Sequence, residues 1–499
     1  MAGGISPNKI ITIPLEDYNS DHYFALLYQS MLNQGWDIGY FDHDGIIAYT
    51  PISWASYSEE VSARLKGNTI VIKSECVGYQ GLFTDYGKNK KNLDLLLGEI
   101  TVAEYQLQQN LEQTTQELMD AVPENQFLNL SDPPMAGKEQ LRGFFSPIIP
   151  RKKYIVTPLL VIVNTLIFIL TSAAFVILPK LLFKNNVGDD TSEKIYMLLG
   201  FNNRTHVLNG EVWRLFTSIF LHFYFLHLAL NMIVLVYVGS LIEYKLGKWN
   251  FLMMFLFTGV ISSMFSVMWH STEISAGASG AIFGLFGILL ALLSTNFYER
   301  SARKALLIST AITVGINIIP VGEGIDHAAH FGGLLSGYIL GWIAYWGFNQ
   351  KNLFIKKWGI AFSGLLLTVA FVSYGVVFMP HYQVKEYEAL IQKFDVTSNE
   401  INNDFYGESS DRQVKLDSME KRGLPHVAEL KKMAVELTNF KLPHDRKKRA
   451  LAQAKIINLY CQYYNLLYLE FKEQDHYKYR PQINDITAQI NVLRSKYLN

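Results

Sequence analysis

The sequence predicts a polytopic α-helical membrane protein with a soluble α+β domain before the membrane region and a soluble helical domain after it. Three observations predict this. Hydrophobic residues make up 49% of the 499 residues and mean hydropathy is positive, at +0.12. The apolar residues are concentrated between Tyr154 and Met379 in seven stretches, most of them near the ~20 residues needed to cross a bilayer. On either side the chain is polar, alternating or helically periodic.

Residues 1–150 read as the first soluble domain. "DHYFALLYQSMLNQG" has helical spacing, "WDIGYFDHDGIIAYTP" alternates around a turn and predicts a hairpin, and "NTIVIKSECV" is a further strand. "NKKNLDLLLGEITVAEYQLQQNLEQTTQELM" reads as helix, and "DPPMAG" with "SPIIPRKK" as a linker. His22 and His43 read as solvated or turn residues. The region 151–379 contains the predicted spans: Tyr154–Leu178, His227–Ile242, Trp249–Trp269, Ser279–Phe297, Ala305–Pro320, His327–Phe348 and Trp358–Met379. The second and fifth are short for a crossing. Residues 380–499 read as helices at "QVKEYEALIQKF", "HVAELKKMAVELTNF", "DRKKRALAQAKIINLYCQYYNLLYLEFKEQ" and "INDITAQINVLRSKYL", with no repeat of fixed length.

Formal net charge is zero, so no basic excess points to nucleic acid. Charge placement is more informative. Arg151, Lys152 and Lys153 precede the first span, and Lys245, Lys248, Arg300, Arg303, Lys304, Lys351, Lys356 and Lys357 fall in alternate loops. The intervening loops "WHSTEISAG" and "PVGEGID" have no Lys or Arg. The positive-inside bias then predicts a cytoplasmic N-terminus and, after seven crossings, an extracytoplasmic C-terminus. Lys180 and Lys184 are a minor exception. No cleavable signal peptide is visible at the N-terminus, so the first span reads as an uncleaved anchor. Cys76 and Cys461 fall on opposite sides of the membrane in this topology, so no disulfide within the chain is expected, and both read as buried fillers.

Polar residues inside a membrane need partners or a function. Ser279 opens the fourth span, His330 lies one turn into the sixth, and His227 with Asn231 opens the second; the topology puts all of them on one side at similar depth. His330, Gly333, Gly337 and Gly341 share one helical face, and Gly280, Gly284 and Gly287 form a similar stripe. Such stripes let two backbones approach closely. If they face each other, Ser279 and His330 come together as nucleophile and base. His227 and Asn231, four residues apart, would share a face as donors to an oxyanion. The Ser279 N–H at a helix N-terminus would be a further donor.

"EVWR", "HLALN", "GASG" and "HFGG" together resemble the rhomboid intramembrane serine proteases, over roughly Trp213 to Gly341. The resemblance implies a six-helix core, here with an extra C-terminal span, and a Ser–His dyad needing no metal or cofactor. It makes Ser279 the nucleophile, His330 the base, and His227 and Asn231 the oxyanion donors. Trp213 and Arg214 match the outer-loop pair, and Gly277, Gly280 and Gly333 the small residues around the dyad. It also implies transmembrane protein substrates, cut near the outer leaflet, and contact with membrane lipid. Client or adaptor proteins would dock on the C-terminal helices, and a prokaryotic plasma membrane is the expected location. The resemblance does not extend to the soluble domains.

Other readings are weighed on the same residues. His327 is an alternative base, although H-x-x-G selects His330. Asp326 reads as a helix cap rather than a triad acid. His222 reads as ordering the outer loop, and Glu243 as structural. A zinc protease would need H-E-x-x-H, which the chain lacks. "GEGID" matches an aspartyl protease motif only loosely. A rhomboid-like pseudoprotease would bind clients without cutting them, but such proteins typically lose residues retained here. A transporter would carry polar residues along a path. Asn203, in "NRT", would accept a glycan in a eukaryotic secretory pathway.

Overall fold

The computed structural model describes residues 7–16, 18–52, 58–78, 85–122, 136–141, 146–182, 189–298, 300–318, 325–350, 353–407 and 411–497. Most of the "DPPMAG" linker, the end of the fifth predicted span and most of "PVGEGID" lie outside the described residues. The chain divides into two compact units, Met1–Phe378 and Met379–Asn499.

The first unit begins with five antiparallel strands: β1 (Asn8–Pro14), β2 (Asp37–Asp42), β3 (Gly45–Tyr49), β4 (Glu59–Lys66) and β5 (Thr69–Cys76), in the order β1-β5-β4-β3-β2. The β2–β3 hairpin turns where its sequence predicts, because the Asp42 carboxylate accepts from the N–H groups of Asp44 and Gly45 at 2.8 and 3.0 Å. Helices α1 (Ser20–Asn33), α2 (Lys88–Leu107) and α3 (Leu111–Asp120) complete this domain. Phe24, Leu27 and Met31 pack with Ile46, Ile72, Leu93 and Leu96. The predicted long helix is thus two helices.

The membrane region follows as α4 (Val156–Leu182), α5 (Asp189–Leu199), α6 (Arg204–Leu208), α7 (Arg214–Thr217), α8 (Phe225–Leu246), α9 (Lys248–Trp269), α10 (Ser279–Leu293), α11 (Arg300–Ile318), α12 (His327–Phe348) and α13 (Leu353–Phe378). Between them, β6 (Asn202–Asn203) pairs with β7 (Ile274–Ser275). Each of the seven predicted stretches coincides with a helix. By length and composition, α4, α8, α9 and α13 are long and apolar enough to cross a membrane.

Helix α10 is apolar but only 15 residues long, about 22 Å against a hydrocarbon core of about 30 Å. It stops at Leu293, short of the predicted Phe297, where the Ser294 and Thr295 hydroxyls turn back onto the Leu290 and Leu292 carbonyls. Every residue of α10 except Ser279 and Leu290 is buried.

A membrane offers no water to solvate the free N–H groups at a helix start. At α4 that need is met by Glu243, a fully buried carboxylate near the end of α8. Its Oε1 accepts from the N–H groups of Ile155 and Val156 at 2.6 and 2.7 Å, and its Oε2 from Thr157 N–H and Oγ1 at 2.8 Å each. Beside it, a Cβ on Gly239 would lie 2.5 Å from Thr157 Oγ1, so the glycine lets α8 and α4 close on this cap. The sheet domain reaches the same end of α8. The 3₁₀ turn Ala136–Leu141 lies on it so closely that a Cβ on Gly137 would sit 2.0 Å from the Ser240 carbonyl oxygen. From that turn the buried Lys138 ammonium donates to the carbonyls of Cys76 and Val77, at 2.8 Å each.

The second unit comprises α14 (Val384–Tyr406), α15 (Arg412–Ser418), α16 (Leu424–Asn439), α17 (His444–Glu473) and α18 (His476–Tyr497). Phe405, Leu430, Leu437, Ala450 and Ile457 form its core. Four of these helices lie where periodicity predicts them, and α15 is additional.

Two outcomes are expected. Glu243→Ala leaves buried N–H groups without acceptors and lowers stability by about 2 kcal/mol or more, read from the unfolding midpoint in detergent. Burial pushes the thiols of Cys76 and Cys461 up to about 12 and about 11. Iodoacetamide at pH 8 should therefore leave both unmodified in the folded protein and alkylate both in denaturant, as counted by mass spectrometry.

Candidate active site

Helices α10 and α12 are in backbone contact along their glycine stripes. A Cβ on Gly333 would lie 2.0 Å from the Gly280 carbonyl oxygen, and one on Gly337 would lie 1.9 Å from that of Gly284. One turn further on, Gly341 meets the backbone of Ile288 at 3.0 Å on the same measure. Gly280 is enclosed from a second side, because its Cβ would strike Ser262 Oγ of α9. This contact brings the first turns of α10 and α12, with Ser279 and His330, to one level. Both side chains line a single cavity of about 410 Å³, together with His227, Asn231, Phe283 and Asp326.

Ser279 is the first residue of α10, so its N–H precedes the helical hydrogen-bond ladder. The turn before it depends on Gly277, at φ +133°, whose N–H donates to the Ser218 carbonyl at 2.9 Å. A Cβ there would lie 2.8 Å from His227 Cε1 and 2.9 Å from its Nε2. Glycine therefore provides both the backbone conformation and the room for the His227 ring beside the nucleophile candidate. Asn231, one turn along α8, donates from Nδ2 to the His227 carbonyl at 2.9 Å and retains a second N–H. His222 accepts from the Ala278 N–H at 3.5 Å, and its ring centroid stands 5.1 Å from that of His227.

His330 is almost fully buried. Its ring stacks on Phe283, with centroids 4.1 Å apart and planes within 10°, and Phe283 lies one turn beyond Ser279 on the same helix. His327 does not line the cavity. Asp326 caps α12, accepting from the Ala329 N–H at 2.9 Å.

Trp213 and Arg214 lie away from the cavity. The Arg214 guanidinium is buried, bonded to Glu211 at 2.7 Å and to the carbonyls of Met197 and Phe201 at 2.7 and 3.1 Å, and it lies over the Trp213 ring. The pair fastens the segment between α5 and α8. Asn203 is also structural: it is buried, caps α6 and donates to the Thr272 carbonyl at 3.1 Å.

Sequence reasoning does not find Phe283, His270, Glu273 or Ser275 as cavity residues. Phe283 is legible in retrospect from its position one turn from Ser279. The other three lie in "WHSTEISAG", whose notable sequence feature is its lack of cations.

Fold and site together define a helical membrane protein with a serine and a histidine presented to one half-enclosed cavity. The family profile described as "Rhomboid domain" matches residues 209–347, so this part of the chain is similar to rhomboid domains. It is similar to RHOMBOID-like protein 1 of Arabidopsis thaliana, 36% identical over 148 residues, 28% of this chain and 38% of that protein. Rhomboid protease GluP of Bacillus subtilis is 33% identical over 208 residues, 41% of this chain and 39% of that protein. Rhomboid-like protease 3 of Toxoplasma gondii is 28% identical over 172 residues, 34% of this chain and 64% of that protein. The matches thus span less than half the length of the first two relatives. Most of the similar proteins are from Arabidopsis thaliana, so the expected prokaryotic origin is not borne out.

Gly333→Val should separate α10 from α12 and cost about 1–3 kcal/mol through overpacking, measured as a lower melting temperature in detergent.

Proposed function

We propose that this protein is an intramembrane serine endopeptidase that cleaves transmembrane protein substrates. The observation that carries the reading is the convergence of Ser279, His330, His227 and Asn231 on one cavity. In this reading the Ser279 hydroxyl passes its proton to His330 as Oγ attacks the scissile carbonyl. The developing oxyanion accepts from the Ser279 N–H, from His227 and from the second N–H of Asn231. Collapse expels the amine, protonated by His330, and leaves an acyl-enzyme. Water, deprotonated by His330, releases the acid.

The substrate helix must unwind to expose a peptide bond, because its own hydrogen bonds and side chains enclose the backbone. Helix-breaking residues near the cut favour this. In this reading the apolar stretches make seven crossings, the loop charges put the N-terminus in the cytoplasm, the cut falls near the outer leaflet, and lipid surrounds α4 and α13. The C-terminal helical domain would recruit clients or an adaptor.

The test is cleavage of a reporter transmembrane substrate in liposomes. Wild type should cut it, and Ser279→Ala and His330→Ala should each lose at least about 10³-fold in rate. Undiminished cutting by Ser279→Ala removes that nucleophile. Folded wild type that neither cuts nor takes a fluorophosphonate label at Ser279 would mark a client-binding pseudoprotease.

A further inference from the structure

One carboxylate holds together three chain segments on the rim of the cavity. Asp326 Oδ2 accepts from Ser266 Oγ at 2.5 Å and from Ser275 Oγ at 2.6 Å. Its Oδ1 receives the Ala329 N–H at 2.9 Å and faces His270 Nε2 at 3.3 Å. Ser266 and His270 lie one turn apart at the end of α9, Ser275 is in β7, and Ala329 is in the first turn of α12. The Asp326 carbonyl also accepts from the His330 N–H at 3.1 Å. On its far side His270 pairs through Nδ1 with the exposed Glu273 at 2.7 Å. Strand β7 is held in turn by β6 and by the bond from Asn203 to Thr272.

A helix cap requires only the Ala329 bond. Ser, Asn and Asp are nearly equivalent as caps, so capping alone does not explain three further side chains converging from two other segments. The electrostatics agree with an ionised clamp. Burial alone would raise the Asp326 pKa, but hydrogen bonds from His270, Ser266 and Ser275 hold it well below the usual carboxylate range. The bond to Asp326 in turn raises the pKa of His270.

We propose that Asp326 is a positioning residue for the His330 base: its carboxylate clamps the end of α9 and strand β7 onto the first turn of α12, fixing the imidazole one turn further on against Phe283. The role rests on the hydrolytic reading above. Asp326 does not touch the reacting atoms; it sets the backbone from which His330 projects. A base displaced by about 1 Å loses on the order of a hundredfold in rate, so the clamp should act on turnover rather than on substrate affinity.

Asp326→Ser separates the two roles, because serine caps the helix but cannot span to α9 and β7. The double variant Ser266→Ala/Ser275→Ala removes the clamp from the other side and leaves the cap intact. Both should lower kcat by about tenfold or more, with KM within about twofold of wild type. Hydrogen exchange should rise in peptides covering 270–278 and 325–333 and stay unchanged elsewhere in α12. His270→Gln, which keeps a donor, should recover most of the activity lost in His270→Ala.

Wild-type kcat in Asp326→Ser, or a rise in KM alone, overturns the proposal. Unchanged exchange at 325–333 in Asp326→Ser overturns it even if wild type proves unable to cut, an outcome that would separately defeat the hydrolytic reading.

Discussion

The site depends on one contact, the meeting of the α10 and α12 backbones at Gly280, Gly284, Gly333 and Gly337. In a membrane there is little hydrophobic gain from pressing two apolar helices together, since lipid tails are as apolar as leucine. Close approach must be favourable through dispersion between backbones, and only glycine lets carbonyl oxygens of one helix reach the Cα atoms of the other. With that contact in place, the first residue of one helix and a first-turn residue of the other share a cavity. The same closeness leaves no slack: a methyl group at Gly333 or Gly337 meets the α10 backbone, and one at Gly280 or Gly284 meets the Ser262 or Thr258 side chain of α9.

Two carboxylates, Glu243 buried and Asp326 half-buried, secure the ends of the bundle. Glu243 completes the start of α4, and Asp326 completes the start of α12. Both accept backbone N–H groups that would otherwise be unpaired in a low-dielectric surrounding. They differ in what else they hold. Glu243 joins two helices, whereas Asp326 gathers a helix end, a strand and a helix start beside the cavity.

Much of this organisation is legible in the sequence. Apolar length locates the membrane helices, and the glycine spacing on the fourth and sixth stretches pairs α10 with α12, because small residues at helical spacing have few other uses in lipid. The polar residues on those stretches are legible for a similar reason: an isolated hydroxyl or imidazole there is expensive. The soluble sheet is harder to read. Strand β4, "EEVSARLK", looks like a solvated charged run, yet Glu59 and Glu60 are buried, accepting from Thr50 and Tyr49 at 2.6 and 2.9 Å. Strand β1 is bounded by proline, and its pairing with β5 is a long-range event that no local pattern records. The clamp at Asp326 is illegible for the same reason, since its partners are 51 to 60 residues away in the chain.

The enclosure of α10 determines what sets the depth of Ser279. Only 17% of the α4 crossing window and 22% of that of α13 is buried in the protein, so these helices present most of their surface outward. The encased α10 is positioned by its neighbours and has almost no surface on which lipid could act. A thicker or thinner bilayer is therefore accommodated by tilt or local deformation around the outer helices, while Ser279 keeps its height within the protein. A separate helix dissolved in the same bilayer has no such scaffold and shifts with the lipid. In the proposed hydrolytic reading, bilayer thickness would then act as a ruler, selecting which residue of an approaching helix stands level with the cavity.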